Sequence, residues 1–287
     1  MPMYEMIADY ACLTGEGPLW HPEEGRLYWV DIPSGKLFRY DPESGHHKQC
    51  LDGEAVGGFT IQADGSLLLF MARGAVRVWR NGIISTIIEE ISEERDSRFN
   101  DVIADPLGRV FCGTMSSDQH KGRLYRLDTD CSLTCVAEGI GTSNGMGFSP
   151  DLGRMYHTDS NVREIYVYDY DAASGEISNQ RLFARVEGDG GIPDGMTVDA
   201  RGHVWSARWD GYRIARYAPD GSLVEEIAMP VKKVSCVTFG GPDYTDIYVT
   251  TAGGDDKVEN GDHAGALYRL RLGVQGVPEY RSRVGLV

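Results

Sequence analysis

The stretch that decides the fold is RLYWVD at residues 26–31, followed after a short turn by GKLFRYD at residues 35–41. Each part is a strand-like run, and the second ends in an aromatic residue and an aspartate. The same unit returns as RMYHTD at 154–159, followed by EIYVYD at 164–169. Apolar and polar residues alternate in it, which is the period of strands with one buried face. The chain therefore contains repeated pairs of antiparallel strands.

The repeat has a regular length. Six apolar anchors, one in each copy, are separated by 41, 42, 45, 49 and 43 residues. These anchors are Tyr28, Leu69, Phe111, Tyr156, Trp205 and Tyr248. A spacing of roughly 40 to 50 residues is typical of one four-stranded propeller blade per repeat. The sequence thus predicts an all-β fold, a six-bladed β-propeller with four-stranded antiparallel blades, and we expect the anchors on its inner strands.

Six repeats must close into a ring or leave an edge strand exposed. The strand-like residues 4–12 precede the first full repeat, and residues 265–272 lie in the last one. We expect these two segments to pair, so that the N- and C-terminal strands close the ring and residues 1–287 form a single domain. Residues 86–95 are the one good helix candidate, because their isoleucines share one face, although an acidic loop is an equal alternative.

Composition argues against several classes of function. The chain has 28 Lys plus Arg and 43 Asp plus Glu, a net charge of −15, which would repel the phosphates of nucleic acid. No stretch approaches the roughly 20 apolar residues of a membrane span, so neither nucleic acid nor membrane is an expected partner. The first residues lack a basic region followed by an apolar run, and a cytoplasmic location is therefore expected. The cysteines are expected to be reduced, although Cys131 and Cys135 could pair or bind a soft metal.

Four short polar motifs are spread through the strand repeats. They are GEGP at 15–18, RFND at 98–101, SNGM at 143–146 and PDGM at 193–196. Each places a carboxylate or amide oxygen beside a Gly or an Asp, where we expect a tight turn to aim the side chain inward. Two carboxylates, Glu16 and Asp194, and two amides, Asn100 and Asn144, suit a hard divalent cation.

The motifs occupy equivalent places in their repeats. Each candidate ligand precedes the first apolar residue of the next strand by 10 or 11 residues. In a propeller, equivalent positions of different blades meet at the central channel, although they are far apart in sequence. The sequence therefore predicts one site for a single divalent ion, which could be Ca, Zn, Mn, Mg or Fe(II).

Together with GTM at 113–115 and FGGP at 239–242, these motifs resemble the regucalcin and gluconolactonase family of six-bladed propeller lactonases over essentially the whole chain. The resemblance implies that Glu16, Asn144 and Asp194 bind one divalent metal, and that Asn100 assists directly or through water. It also implies that Arg98 and Asp118 hold sugar hydroxyls, with Asp118 standing where some relatives carry a longer Glu.

Opening a sugar lactone requires stabilisation of negative charge on the carbonyl oxygen while hydroxide attacks. A divalent cation can polarise the carbonyl and lower the pKa of bound water, which supplies the hydroxide. We therefore expect metal-dependent hydrolysis of an aldonolactone, such as glucono-, xylono-, arabinono- or galactonolactone, to the aldonic acid. Asp194 is the expected ligand and general base, and metal hydroxide is the other acceptor for the proton. Trp209, which follows an inner strand, could reach the channel mouth and stack on a sugar face.

Two other functions stay open at this point. One is another ester or phosphoester hydrolase on the same metal propeller, because fold and metal do not fix the substrate. The other is a non-enzymatic calcium-binding protein. A small-molecule sugar lactone is the expected partner, and the sequence leaves the oligomeric state open.

Overall fold

The computed structural model describes residues 4–286. Across these residues, six four-stranded antiparallel sheets form the blades of a ring, which confirms the predicted six-bladed β-propeller. The first strand of each blade contacts the first strands of the neighbouring blades, so the first strands surround a central channel. Residues 1–3 and 287 lie outside the described residues. The expected limits of the domain, and part of the expectation about an N-terminal signal, depend on them.

In blades 1 to 5 the strands pair in chain order from the channel outward, and in blade 6 the outer strand is the first of the chain. Ahead of blade 1 comes β1 (Tyr4–Asp9). Blade 1 contains β2 (Gly15–His21), β3 (Arg26–Asp31), β4 (Lys36–Tyr40) and β5 (His47–Asp52). Blade 2 contains β6 (Val56–Ile61), β7 (Leu67–Met71), β8 (Val76–Arg80) and β9 (Ile83–Ile88). Blade 3 contains β10 (Phe99–Ala104), β11 (Val110–Thr114), β12 (Gly122–Leu127) and β13 (Leu133–Ile140).

The second half of the ring follows the same order. Blade 4 contains β14 (Ser143–Phe148), β15 (Arg154–Asp159), β16 (Glu164–Asp171) and β17 (Glu176–Arg185). Blade 5 contains β18 (Ile192–Val198), β19 (Val204–Trp209), β20 (Arg213–Tyr217) and β21 (Leu223–Ala228). Blade 6 contains β22 (Val234–Gly240), β23 (Asp246–Thr251) and β24 (Ala266–Leu270), with β1 as its outer strand.

Blade 6 closes the ring. In it β1 pairs antiparallel with β24, with Tyr4 opposite Leu270 and Asp9 opposite Ala266. The expected joining of the N- and C-terminal strands is therefore confirmed. The pairing removes the open edge that six consecutive repeats would otherwise leave.

The apolar core is divided among the contacts between blades. Across the described part of the chain, each of six apolar clusters lies between two neighbouring blades. For example, Trp205 of blade 5 packs with Phe239 of blade 6, their rings 5.6 Å apart and nearly perpendicular. The six sequence anchors belong to these clusters, but they lie on the second strand of each blade. Their expected place on the innermost strands was wrong, because the regular second strands dominate the periodicity.

The helix prediction for residues 86–95 was also wrong. Ile83–Ile88 is the outer strand β9, which pairs with β8 so that Arg80 lies opposite Ile83. The run of β-branched residues favours a strand, and pairing with β8 satisfies its backbone. Only a 3₁₀ turn, Ser92–Glu94, follows. A single-turn helix α1 (Lys257–Asn260) lies in blade 6, and no helix in residues 4–286 is long and apolar enough to cross a membrane.

A C-terminal segment, residues 273–286, crosses the ring after β24. It lies at the turns that follow the innermost strands, and its backbone bonds join different blades. Gly276 N donates to Tyr244 O in blade 6 and Ser282 N donates to Ile61 O in blade 2. Arg283 N donates to Gly108 O in blade 3. The segment therefore ties the blades together on the face opposite the starts of the innermost strands.

Candidate metal centre and cavity

The four ligands predicted from the motifs meet at one end of the channel. Glu16, Asn100, Asn144 and Asp194 lie near the starts of β2, β10, β14 and β18, and each is only 4–6% exposed. All four line one cavity of about 590 Å³. Four blades thus each contribute one oxygen-bearing side chain to the same cavity.

Bulges in the innermost strands direct these side chains. Pairing with the second strand shifts register between Glu16 and Leu19, and again between Phe99 and Val102. The same shift of register occurs in blades 4 and 5, next to the other two motifs. A bulge re-aims side chains near functional sites. The expected tight turns were wrong, because the motif residues that carry the ligands lie within bulged strands.

The motif glycines let neighbouring innermost strands approach closely. A Cβ atom on Gly145 would lie 2.5 Å from Met196 N and 2.6 Å from Asp194 O. A Cβ atom on Gly195 would lie 2.3 Å from Cys236 Sγ. Distances this short are incompatible with a side chain, so Gly145 sets the separation between the ligand-bearing strands β14 and β18, and Gly195 sets that between β18 and β22.

The amide of Asn144 leaves an oxygen atom for a cation. Its Nδ2 donates to Ser160 Oγ at 3.0 Å, whereas Oδ1 is buried and has no hydrogen-bond partner among residues 4–286. Buried acceptors without a partner are costly and rare. An oxygen-preferring divalent ion would satisfy this atom, so the residues present fit such an ion.

The amide of Asn100 is held at both ends. Its Nδ2 donates to Ser143 O at 2.9 Å, and its Oδ1 accepts from Arg98 Nη1 at 2.7 Å. Arg98 Nη1 also donates to Phe99 O at 2.9 Å. Asn100 Oδ1 keeps one lone pair, which suits either a metal ligand or a group that holds water.

Carboxyl groups crowd the floor of the cavity. Burial raises the pKa of Glu16 well above its usual range, and Asp194 and Asp101 raise it further. Burial likewise raises the pKa of Asp194, and the Asp101 carboxylate adds to this effect. The pKa of Asp101 itself is raised to about 7 by its removal from water, opposed by the positive charge of Arg98. A divalent cation would relieve this repulsion.

Sequence reasoning missed Asp101 as an acidic group of the site. Strict strand alternation would place it on the face opposite Asn100, but the bulge in β10 breaks the alternation. In the described residues no three His, Cys, Asp or Glu side chains are grouped as metal ligands. Asp101 acts on Glu16 and Asp194 through its charge, and a cation held by these two carboxylates would also need the amide oxygens.

The walls of the cavity come mainly from blades 3, 4 and 5. Arg98 and Trp209 line it, as do Thr142, Ser160, Asn161 and Arg163, which the sequence reasoning missed. Arg163 is held in place by donating from Nε to Gly191 O at 3.1 Å. Lys233 Nζ lies 4.5 Å from the ring centroid of Trp209.

Asp118 does not lie with the other predicted site residues. It is exposed in the loop between β11 and β12 and is not among the residues that line the cavity. Its contact with substrate stays a prediction.

A second, smaller pocket lies between the innermost strands and the C-terminal segment. Asp101 and Cys236 line it, and so does Glu279 of that segment. Burial raises the pKa of Glu279 to about 7. Acidic side chains therefore line both the cavity and this second pocket.

Comparisons with known proteins match most of the chain. The family model for the SMP-30/Gluconolactonase/LRE-like region matches residues 14–253. The chain is 50% identical to the pentonolactonase XacC of Haloferax volcanii, covering 98% of both chains. It is 34% identical to a 6-deoxy-6-sulfogluconolactonase of Pseudomonas putida, covering 93% of this chain and 94% of the relative. A solved structure of the calcium-binding protein regucalcin from Agrobacterium tumefaciens superimposes with a TM-score of 0.90 at 26% identity, covering 97% of both chains.

Proposed function

The chain belongs to the SMP-30/gluconolactonase/LRE-like family and is a hydrolase of the lactonase type, and we propose that it opens aldonolactones with the help of one divalent metal ion. A pentonolactone, such as xylono- or arabinonolactone, is the first candidate substrate, because the Haloferax relative with 50% identity is named a pentonolactonase. The cytoplasmic location expected from the sequence stays a prediction.

One observation carries the metal dependence. The buried Asn144 Oδ1 has no hydrogen-bond partner among residues 4–286 and shares a cavity with Glu16, Asn100 and Asp194. These four side chains would hold the ion. When bound, it supplies Lewis acidity toward the lactone carbonyl and lowers the pKa of coordinated water.

Asp194 is proposed as the general base. Its pKa is raised by burial and by Asp101 in the metal-free protein; binding to a cation would lower that pKa, so a coordinated hydroxide is the other candidate proton acceptor. The innermost strand β18 fixes the position of Asp194, since Gly195 and Gly145 allow no other spacing of the neighbouring strands. The proton that Asp194 accepts comes from the water that attacks the lactone carbonyl.

Arg98 is proposed to hold hydroxyl groups of the substrate. Its Nη1 is committed to Asn100 Oδ1 and Phe99 O. Its Nε and Nη2 have no hydrogen-bond partner in the described part of the chain, and Arg98 lines the cavity. Two parallel donors match a pair of neighbouring hydroxyl oxygens on a sugar lactone.

The test is acid release on adding aldonolactones to chelator-stripped protein, before and after restoring each divalent metal. We expect metal-dependent release that is lost in Asp194→Asn. Asp220→Asn is the matched control, because Asp220 is an exposed turn residue of blade 5 that bonds Ser222. Near-normal turnover by metal-loaded Asp194→Asn would refute the assignment as base. Tight metal binding without acid release from any lactone would refute hydrolysis and favour a calcium-binding role.

A further inference from the structure

Side chains of preceding blades hold the backbone next to three of the proposed ligands. Each donates to the carbonyl oxygen of the residue just before a ligand. The donors are Ser235 Oγ to Gly15 O, Asn100 Nδ2 to Ser143 O and Ser160 Oγ to Pro193 O. The residues that follow these carbonyls are Glu16, Asn144 and Asp194, so the same contact recurs around the ring.

Ser160 differs from the other two donors because it also touches a ligand side chain. Its hydroxyl donates to Pro193 O at 2.6 Å and accepts from Asn144 Nδ2 at 3.0 Å. One hydroxyl thus bonds the amide of the blade 4 ligand and the backbone beside the blade 5 ligand, Asp194. The residue lies in the turn after β15 and is 8% exposed.

This arrangement fixes which end of the Asn144 amide faces the cavity. The single proton of the Ser160 hydroxyl is committed to the Pro193 carbonyl, so the hydroxyl oxygen can only accept from the amide. If the amide rotated, Asn144 Oδ1 would face the lone pairs of Ser160 Oγ with no proton between them. Oδ1 therefore stays on the side where a cation would bind.

We propose that Ser160 is a positioning residue for the metal centre, which orients the Asn144 amide and fixes the separation of Asn144 from Asp194. This inference rests on the proposed function, since it concerns the same ion. Groups that orient metal ligands typically contribute a factor of about 10 to 100 in metal affinity.

The decisive variant is Ser160→Ala, which removes both hydroxyl bonds. The turn itself keeps its backbone bonds, because Ser160 N donates to Thr142 O at 3.1 Å and Arg163 N donates to Ser160 O at 3.1 Å. Ser160→Thr retains a hydroxyl and serves as the conservative variant. Ser282→Ala is the matched control, since it removes a buried hydroxyl bond to Thr60 Oγ1 on the opposite face.

The measurement is calorimetric titration of Ca²⁺ and Mn²⁺ into chelator-stripped full-length protein, with the urea unfolding midpoint of each metal-free variant as a second readout. We expect Ser160→Ala to weaken metal binding about 10- to 100-fold, whereas Ser160→Thr and Ser282→Ala should stay within about threefold of the unmodified protein.

Three results would overturn the proposal. Ser160→Ala could bind metal as tightly as the unmodified protein, Ser160→Thr could be as weak as Ser160→Ala, or Ser282→Ala could weaken binding equally. The proposed function fails separately: if the unmodified protein binds metal but opens no lactone, hydrolysis is refuted while the Ser160 effect on affinity still stands. If it binds neither divalent ion, both proposals fall.

Discussion

Replacing Gly145 by alanine should destabilise the fold and disturb the metal centre together. The new Cβ atom would lie 2.5 Å from Met196 N, 2.6 Å from Asp194 O and 2.8 Å from Gly195 C. All three are backbone atoms of β18, so no side chain can rotate away to make room. The innermost strands β14 and β18 would have to separate, and with them Asn144 and Asp194.

The expected cost follows from this geometry. Overpacking of a well-packed interior typically costs about 1 to 3 kcal/mol, and a contact with fixed backbone belongs in the upper half of that range. We therefore expect Gly145→Ala to lower the free energy of unfolding by about 2 kcal/mol or more. Its affinity for a divalent ion should fall as well, because two proposed ligands move apart.

Urea unfolding of the metal-free protein gives the first quantity, and calorimetric titration with Ca²⁺ gives the second. Gly53→Ala is the matched control: its Cβ atom would meet nothing within 4 Å, and Gly53 has no positive φ. We expect Gly53→Ala to change stability by less than about 1 kcal/mol. A Gly145→Ala protein with unchanged stability and unchanged affinity would refute the close-approach argument.

Three further outcomes are expected. Burial lowers the pKa of His157 to about 4, from 6.5, so its contribution to stability is complete above about pH 6.5 and is lost as the pH falls toward 4. The free energy of unfolding in urea should therefore fall over this pH range by up to about 3 kcal/mol more in the unmodified protein than in His157→Gln. An equal fall in the two proteins would contradict the argument. Asp105→Ala should lower the free energy of unfolding by about 3 to 5 kcal/mol, because it leaves the guanidinium of Arg109 without its buried carboxylate. Asp169→Ala, which breaks an exposed ion pair, should lower it by less than about 1 kcal/mol. Similar losses in the two variants would contradict this reasoning. A divalent ion at a hundredfold excess over its dissociation constant should raise the free energy of unfolding by about 2.7 kcal/mol. The Asp194→Ala variant should lose most of this gain. An equal gain in that variant would show that the ion binds elsewhere.

The sequence was sufficient for the ring because a propeller repeats its unit. Spacing between copies predicted six blades, and the unpaired strand before the first copy predicted the closure of β1 on β24. Convergence of Glu16, Asn100, Asn144 and Asp194 followed from their equivalent places in the repeats, and the structure does bring them into one cavity.

Features that depend on bulges, on strand pairing, on exposed loops or on contacts between blades could not be predicted in this way. The position of Asp101 results from a bulge that breaks strand alternation, and the role proposed for Ser160 depends on a carbonyl more than 30 residues away. Residues 86–95 carry a helical pattern, but pairing of β9 with β8 decides their structure. Asp118 lies in an exposed loop, where no periodic pattern constrains a side chain.

The closure of blade 6 has a consequence for the synthesis of the protein. On the ribosome β1 is made first, but its partner β24 starts only at Ala266. At about 5 to 20 residues per second, the edge of β1 waits on the order of tens of seconds for a partner. The hydrogen bond from Ser235 Oγ to the carbonyl oxygen before Glu16 likewise cannot form until blade 6 has been made. A nascent chain therefore cannot complete the proposed metal centre until blade 6 has been translated, and we expect a message cut short before β24 to yield polypeptide without lactonase activity.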